Sequence, residues 1–371
     1  MKTYIVVGAG ILGASTAYHL AKTGAKVTLV DRKDNGQATD AAAGIVCPWL
    51  TQRRNKAWYQ LVKNGARFYP RLIWELEEIG EANSGYAKVG AISLHTDEKK
   101  LDQMEERARK RKEGAPEIGD ITRLTPAETK ALFPPLSGEF GAVHISGGAR
   151  VNGRALRDAM INAARTRGAN IIKGQASLEY KGNQVSGITI NDKTFEGEQV
   201  IITGGAWANE LLKPLGVHFI VKPQKAQIVH LEIPDMDTSE WPVVMPPNNQ
   251  YLLAFEDGRV VVGATHEDEK GFDTRVTPGG LFEIFEKALM IAPGLANSTV
   301  LETRVGFRPF TPGFLPVIGP VPNVKGVLVA NGLGASGLTA GPYLGAELAK
   351  LALGKPLEID ISQYDVAGAL Q

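Results

Sequence analysis

Apolar residues in this chain follow two rhythms: short unbroken runs, and longer stretches spaced for one face of a helix. Tyr4-Ile-Val-Val7 is of the first kind, and Thr3 to Val7 reads as a buried strand. A helix is expected from Ile11 to Lys22, then a second strand from Ala25 to Val30 that ends on Asp31. Lys56 to Ile79 sets Trp58, Leu61, Val62, Phe68, Leu72, Leu76 and Ile79 near helical spacing, which predicts a long amphipathic helix kinked at Pro70. Val89 to His95 reads as a strand and Asp97 to Lys112 as a charged helix. Thr125-Pro-Ala-Glu128 has the form of a capping box with proline at the first helical position. Arg154 to Arg167 is a further helix. Asn170 to Ile190 predicts strands with a hairpin near Gly182-Asn183. Val200 to Thr203 is a strand that ends in a glycine turn, with a helix through Leu212. His218 to Leu231 and Asn249 to Thr265 are strand-rich, the latter joined at Glu256-Asp257-Gly258. Gly279 to Ala292 is a helix. Val327 to Asn331 is a strand, followed by a glycine loop and a helix from Leu338 to Leu353.

Glycine closes three of these strands, at Gly8, at Gly204-Gly205 and at Gly332 to Gly337. The first turn carries the sharpest signal. Gly8-Ala9-Gly10-Ile11-Leu12-Gly13 lies between a strand and a helix, and Asp31 ends the next strand about 20 residues on. That is the dinucleotide-binding βαβ pattern. Gly8 makes the tight turn, Gly10 admits a pyrophosphate, and Gly13 lets helix and strand approach. The free amides of the helix start face the phosphates, and Asp31 accepts from ribose hydroxyls. A secretion signal would share the apolar run but not this internal order. Arg32 is grouped with the dinucleotide ligands, although Asp31 beside it would repel a 2′-phosphate, and Arg32 and Lys33 read more simply as solvated loop charges.

Composition narrows the class without choosing a function. The 371 residues carry a net charge of +1, with 43% hydrophobic and 22% charged residues. About two domains are expected at this length. No strong field argues for nucleic acid or an anionic membrane surface, and the basic run Arg107 to Lys112 reads as a solvated helix face. No apolar run approaches the roughly 20 residues of a membrane span. Cys47 is the only cysteine, which favours a reducing, cytoplasmic setting. The six histidines show no ligand spacing, so no metal is expected. Gly334-Ala-Ser-Gly-Leu338 lacks the last glycine of a serine nucleophile elbow.

After Asp31 the chain does not continue as a nicotinamide domain. It enters Thr39 to Gly44, a loop of small residues. In this and in Val6 to Gly13, Thr203-Gly-Gly-Ala-Trp207, Gly263-Ala-Thr265, Gly306-Phe-Arg-Pro309, Pro316-Val-Ile-Gly319 and Gly332 to Gly341, the chain resembles the glycine oxidase and D-amino-acid oxidase superfamily over nearly its whole length. The resemblance implies an α/β fold: an FAD-binding Rossmann-like domain (1–85, 140–216 and 300–371) interwoven with an α+β substrate domain (86–139 and 217–299) built on an antiparallel sheet. It implies noncovalent FAD, because no cysteine stands near Arg308, where sarcosine oxidases attach the flavin. Gly8, Gly10, Ile11, Leu12, Gly13, Asp31, Thr39, Ala43, Gly44 and Ile45 would hold the dinucleotide. Ala176 would meet the adenine through its backbone. Thr203, Gly204 and Trp207 would lie near the dinucleotide, and Gly334, Gly337, Leu338 and Thr339 near the flavin pyrimidine.

Arg308 is the leading substrate ligand, a guanidinium able to clamp a carboxylate with two hydrogen bonds. Tyr251 stands where the family places a tyrosine that helps hold that carboxylate, and His266 follows Gly263-Ala-Thr265 toward the site. Where some members carry a second arginine in the last glycine loop, this chain has Ala335. The implied reaction is oxidation of a small amino acid (glycine, a D-amino acid, or an N-methyl or cyclic one) at its Cα–N bond, with hydride passing to flavin N5. A flavin-dependent 2-hydroxy-acid dehydrogenase and a noncatalytic FAD-binding protein are the alternatives. The reading leaves room for a homo-oligomer and for an electron-acceptor partner.

Overall fold

A computed structural model describes residues 2–371, and two sheets organise it. The first has six strands, in the order Val317–Pro320, Val327–Asn331, Gln199–Ile202, Thr3–Val7, Lys26–Asp31 and Asn170–Lys173. All neighbours are parallel except the first pair. The strands Thr3–Val7 and Val327–Asn331, from opposite ends of the chain, both pair with Gln199–Ile202. Helices Ile11–Ala21 and Gly337–Ala352 pack on each other over this sheet. Gly345 makes that contact close: a Cβ there would stand 2.6 Å from Ser15 Cβ and 2.7 Å from the Leu12 carbonyl oxygen.

The second sheet has eight strands, in the order Thr299–Phe310, Lys222–Glu232, Arg259–Gly263, Tyr251–Ala254, Val243–Met245, Ala91–His95, Gly141–Ile145 and Ile121–Leu124. It is antiparallel but for one parallel pair, Val243–Met245 with Ala91–His95. Helix Pro278–Ile291 covers one face with an apolar cluster that includes Val229, Leu252, Val262 and Ile284. Strands Gly141–Ile145 and Thr299–Phe310 pair here, although the sequence reading grouped 140–216 and 300–371 with the dinucleotide half. On sheet membership we propose to count both strands with the substrate half.

The helix Lys56–Glu77 is one element with Pro70 inside it, not divided there. Pro70 faces solvent, while Leu61, Val62, Leu72 and Leu76 bury a stripe on both sides of it. That shared stripe holds the two halves to one surface. The expected run of strands from Asn170 to Ile190 splits between two sheets. Asn170–Lys173 joins the parallel sheet, and Ser177–Lys181 pairs with Gln184–Ile190 in a small sheet of its own. The capping box at Thr125 and Glu128 is formed, with both reciprocal bonds present.

Candidate active site

The turn at Gly8 is shaped by contacts that exclude side chains. Gly8 has φ +106°, and a Cβ there would lie 2.6 Å from the Thr203 carbonyl oxygen. A Cβ on Gly13 would lie 1.8 Å from the Gly8 carbonyl oxygen. Around Gly10 the space is open, with Thr39 Oγ1 the nearest atom, at 3.4 Å. Thr203 Oγ1 donates to the Gly8 carbonyl at 2.8 Å, and Thr39 Oγ1 accepts from the Ile11 amide at 2.9 Å. The amides of Leu12 and Gly13 have no acceptor among the described residues. A helix start with free amides and an open glycine is a built anion cradle.

Asp31 locks this turn from the next strand. Its Oδ2 accepts from the Ala9 amide at 2.6 Å, and its Oδ1 from the Lys33 amide at 2.6 Å and from Gln37 Nε2 at 2.8 Å. A carboxylate oxygen can accept more than one bond, so Asp31 keeps capacity for a ligand hydroxyl.

From this turn a cavity of ≈ 700 Å³ runs between the two sheets. Gly8, Gly10, Ile11, Leu12, Asp31, Thr39, Ala43, Gly44, Ile45, Ala176, Thr203, Gly204, Trp207, Gly334, Gly337, Leu338 and Thr339 all line it, as do Tyr251, His266 and Arg308. Gly13 does not; it acts one layer behind, by letting the helix touch the turn. Arg32 borders the cavity but is engaged elsewhere: it pairs with Glu210 at 2.8 Å and bonds Asp34. It stands among the cavity residues as a paired rim charge.

The second and third glycine turns are tied together. Asn331 Nδ2 donates to the Gly205 carbonyl at 2.8 Å, while its Oδ1 accepts from the Gly332 amide at 2.7 Å. Gly334 (φ +51°) has no room for a side chain, because a Cβ would stand 2.1 Å from the Phe310 ring. The helix Gly337–Ala352 therefore begins at the cavity wall. Thr339 Oγ1 fastens it to the Ile45 carbonyl at 2.9 Å, and Trp58 Nε1 donates to Ser336 Oγ at 3.0 Å. Two helix starts, at Ile11 and at Gly337, thus border one cavity. A dinucleotide with a pyrophosphate and a ring that gains negative charge on reduction fits that arrangement.

The antiparallel sheet supplies the other wall. Arg308 Nη1 donates to Gln224 Oε1 at 3.2 Å, and Gln224 Nε2 is held by Asp268 Oδ1 at 3.0 Å. Gln224 and Arg308 are register partners on adjacent strands. Burial draws the Arg308 guanidinium below its ordinary value, and the neighbouring Tyr251 hydroxyl acts the other way. Among the described residues Arg308 has no carboxylate partner, in contrast to Arg32. Burial raises the Tyr251 hydroxyl above its usual range, against the pull of Arg308. His266 sits at the exposed rim, 3.5 Å from Asn249 by Nδ1 to Nδ2. Burial within the pocket and then the Arg308 charge lower its pKa. Ala335, in the last glycine loop, is exposed and small.

Cys47 also lines the cavity, and burial pushes its thiol up to about 12, which keeps it protonated and apolar in character. Among the described residues no group of three His, Cys, Asp or Glu side chains could hold a metal, and no helix is long and apolar enough to cross a membrane. Sequence reasoning missed Trp58, Gln224, Met245, Asn249, Asn331 and Ser336. Asn331 stood directly before the last glycine loop and could have been marked. The others carry no local signal, because strand register and helix packing bring them in.

Known proteins resemble this chain along nearly its whole length. A family model described as FAD dependent oxidoreductase matches residues 3–351. A protein of Bacillus subtilis (strain 168), described as an uncharacterized oxidoreductase, is 66% identical over 371 residues and covers 100% of both chains. The glycine oxidase of Pseudomonas aeruginosa is 32% identical over 373 residues, covering 99% of each chain. The crystal structure of iminodiacetate oxidase from Chelativorans sp. BNC1 superposes with a TM-score of 0.95 at 47% identity, covering 98% of each chain.

Proposed function

The chain belongs to the FAD-dependent oxidoreductase family, related to glycine and iminodiacetate oxidases, and from that membership we propose that it oxidises the Cα–N bond of a small amino acid whose carboxylate docks on Arg308. The observation that carries this reading is the unpaired guanidinium in the cavity wall. A partly buried cation without a carboxylate is costly unless a ligand supplies one. Glycine and iminodiacetate, the compounds named for the two relatives, both bear a carboxylate on the carbon next to the amine nitrogen.

When bound, noncovalently on this reading, FAD supplies a two-electron acceptor. Arg308 holds the substrate carboxylate through a two-pronged contact, and Tyr251 adds a hydroxyl at its side. Gln224, fixed by Asp268, keeps the guanidinium plane from rotating. These contacts set the Cα–H direction by orientation alone. Arg308 has no carboxylate partner among the described residues, so its charge is free for the substrate acid, and on this reading the amine reacts in its neutral form. Ala226, Ile228 and Met245 give this part of the cavity an apolar lining.

An anaerobic screen tests the proposal. Glycine, sarcosine, iminodiacetate, D-alanine, D-proline and 2-hydroxy acids are mixed with the FAD-loaded protein, and loss of flavin absorbance near about 450 nm is followed. Bleaching by amino acids supports the reading. Bleaching by 2-hydroxy acids alone moves the protein to the dehydrogenase alternative, and bleaching by none leaves a noncatalytic FAD protein.

A further inference from the structure

We propose that Asn249 and His266 form a second acid-binding station in the cavity, and that the preferred substrate is a secondary amine carrying two carboxylates. The inference rests on the assignment of Arg308 as the first station. It follows from strand geometry at the end of the antiparallel sheet.

Residues 264–267 continue past Arg259–Gly263 along Lys222–Glu232. The Thr265 amide donates to the Gln227 carbonyl at 3.2 Å, and the Glu267 amide to the Lys225 carbonyl at 2.9 Å. Side chains alternate along such a pair. Lys225 and Glu267 turn to the face away from the cavity, where Lys225 Nζ lies 3.9 Å from Glu267 Oε2. His266 and Ala226 therefore face the cavity, and both line it. On the other side of the same strand, Gln224 pairs with Arg308. Two strand spacings and a two-residue offset along the strands, roughly 12 Å in all, separate the backbones of Arg308 and His266. Between them Ala226 presents only a methyl group, which leaves a low floor bounded by a cation at one end and an imidazole at the other.

Asn249 completes the second end, and its amide is already oriented. Lys287 Nζ donates to Asn249 Oδ1 at 3.0 Å while also holding Glu283 at 2.6 Å. The oxygen of the amide is thereby occupied, and Nδ2 is turned toward His266 as a donor. A carboxylate lying between Asn249 Nδ2 and the His266 ring meets two donors when the ring is protonated. The charged groups facing His266 are Arg308, Lys287 and Glu283. The two cations hold its proton affinity down and Glu283 opposes them, after the larger effect of burial. A carboxylate on Arg308 already relieves part of this, and a second one beside the ring adds to it, so a dicarboxylate favours the protonated ring more than a monocarboxylate does. Lys287 acts through Asn249 and is a positioning residue.

Each turnover removes one hydride and one proton across the Cα–N bond. The two electrons pass to FAD, which is stoichiometric with protein in an anaerobic single turnover. Water then splits the resulting imine into a primary amino acid and a 2-oxo acid.

The test compares iminodiacetate with sarcosine on the FAD-loaded wild-type protein and on the His266→Ala, Asn249→Ala and Lys287→Met variants. Both substrates are secondary amines that remain protonated between about pH 5.5 and 7.5, so the ratio of their kcat/KM values cancels the amine step. In the wild type the ratio favours iminodiacetate and rises as pH falls across this range. His266→Ala lowers the ratio about 10- to 100-fold, the worth of a hydrogen bond to a charged group, and flattens its pH dependence. Asn249→Ala lowers it similarly, and Lys287→Met lowers it less without flattening it. A wild-type ratio near one, or equal losses for both substrates in the His266 and Asn249 variants, overturns the second station while leaving Arg308 in place. If no amino acid reduces the flavin, the reading of Arg308 and this inference fall together.

Discussion

Replacing Arg308 by alanine removes the one cavity cation that lacks a carboxylate partner among the described residues. The guanidinium spends Nη1 on Gln224 at 3.2 Å and leaves its other edge toward the cavity. A two-pronged contact to a substrate carboxylate uses that edge. Loss of one member of a desolvated charge pair costs about 2–4 kcal/mol here, the lower part of the usual range, because Arg308 is only half-buried and opens on the cavity. The corresponding rise in substrate KM is roughly 30- to 700-fold. Arg308→Lys keeps the charge but not the fork, and falls between alanine and wild type. Anaerobic stopped-flow reduction, with flavin content and melting temperature as controls, separates KM from the rate of reduction. An ester of the same amino acid supplies the internal contrast, since it has no carboxylate to lose and the variant and wild type should converge on it. A loss below about fivefold on the free acid, in protein that retains its flavin, would refute the assignment.

Other perturbations reach different parts of the structure. Gly13→Ala places a Cβ 1.8 Å from the Gly8 carbonyl oxygen, so the purified variant should be colourless and should not retain added FAD on a desalting column. Lys225→Met leaves Asp273 without the buried ammonium 3.1 Å away. Because the Asp273 side chain keeps 20% of its exposure and a second partner in Arg275 at 2.8 Å, the urea-unfolding midpoint should fall, but by less than for a fully enclosed pair. The Glu302 carboxyl is held down to about 2, first by its bond to Arg304 against the cost of burial, then by the charges of Arg304, His230 and Arg259. A depressed carboxyl contributes stability above its unfolded value near about 4.3 that is lost as pH falls toward 2. Glu302→Gln should therefore lower the melting temperature at pH 7 and show a shallower decline than wild type between those limits; parallel curves would disprove the coupling.

Where the folding signal is local, the chain announced its own structure. Thr3 to Asp31 needed only an apolar run, three spaced glycines and a terminal acid, and the turn formed with Asp31 bonded to the Ala9 amide. The capping box at Thr125 was legible for the same reason, since its two bonds span three residues. Arg32, grouped with the dinucleotide ligands, lines the cavity, and the partner of its charge, Glu210, lies far along the chain. The long helix expected around Pro70 is one element, with a buried stripe on both sides of the proline.

The sequence by itself determined that three glycine turns end strands and that an arginine follows Gly306-Phe307. Only the tertiary structure decided which side chains stand against that arginine. Gln224 is 84 positions away from it, and Asn249 and His266 reach the same cavity from the segments that precede Tyr251–Ala254 and follow Arg259–Gly263. Periodicity shows which face a residue occupies, because that depends on its neighbours in the chain. Strand order and register bring distant faces together through many contacts at once, and no single stretch of residues encodes them.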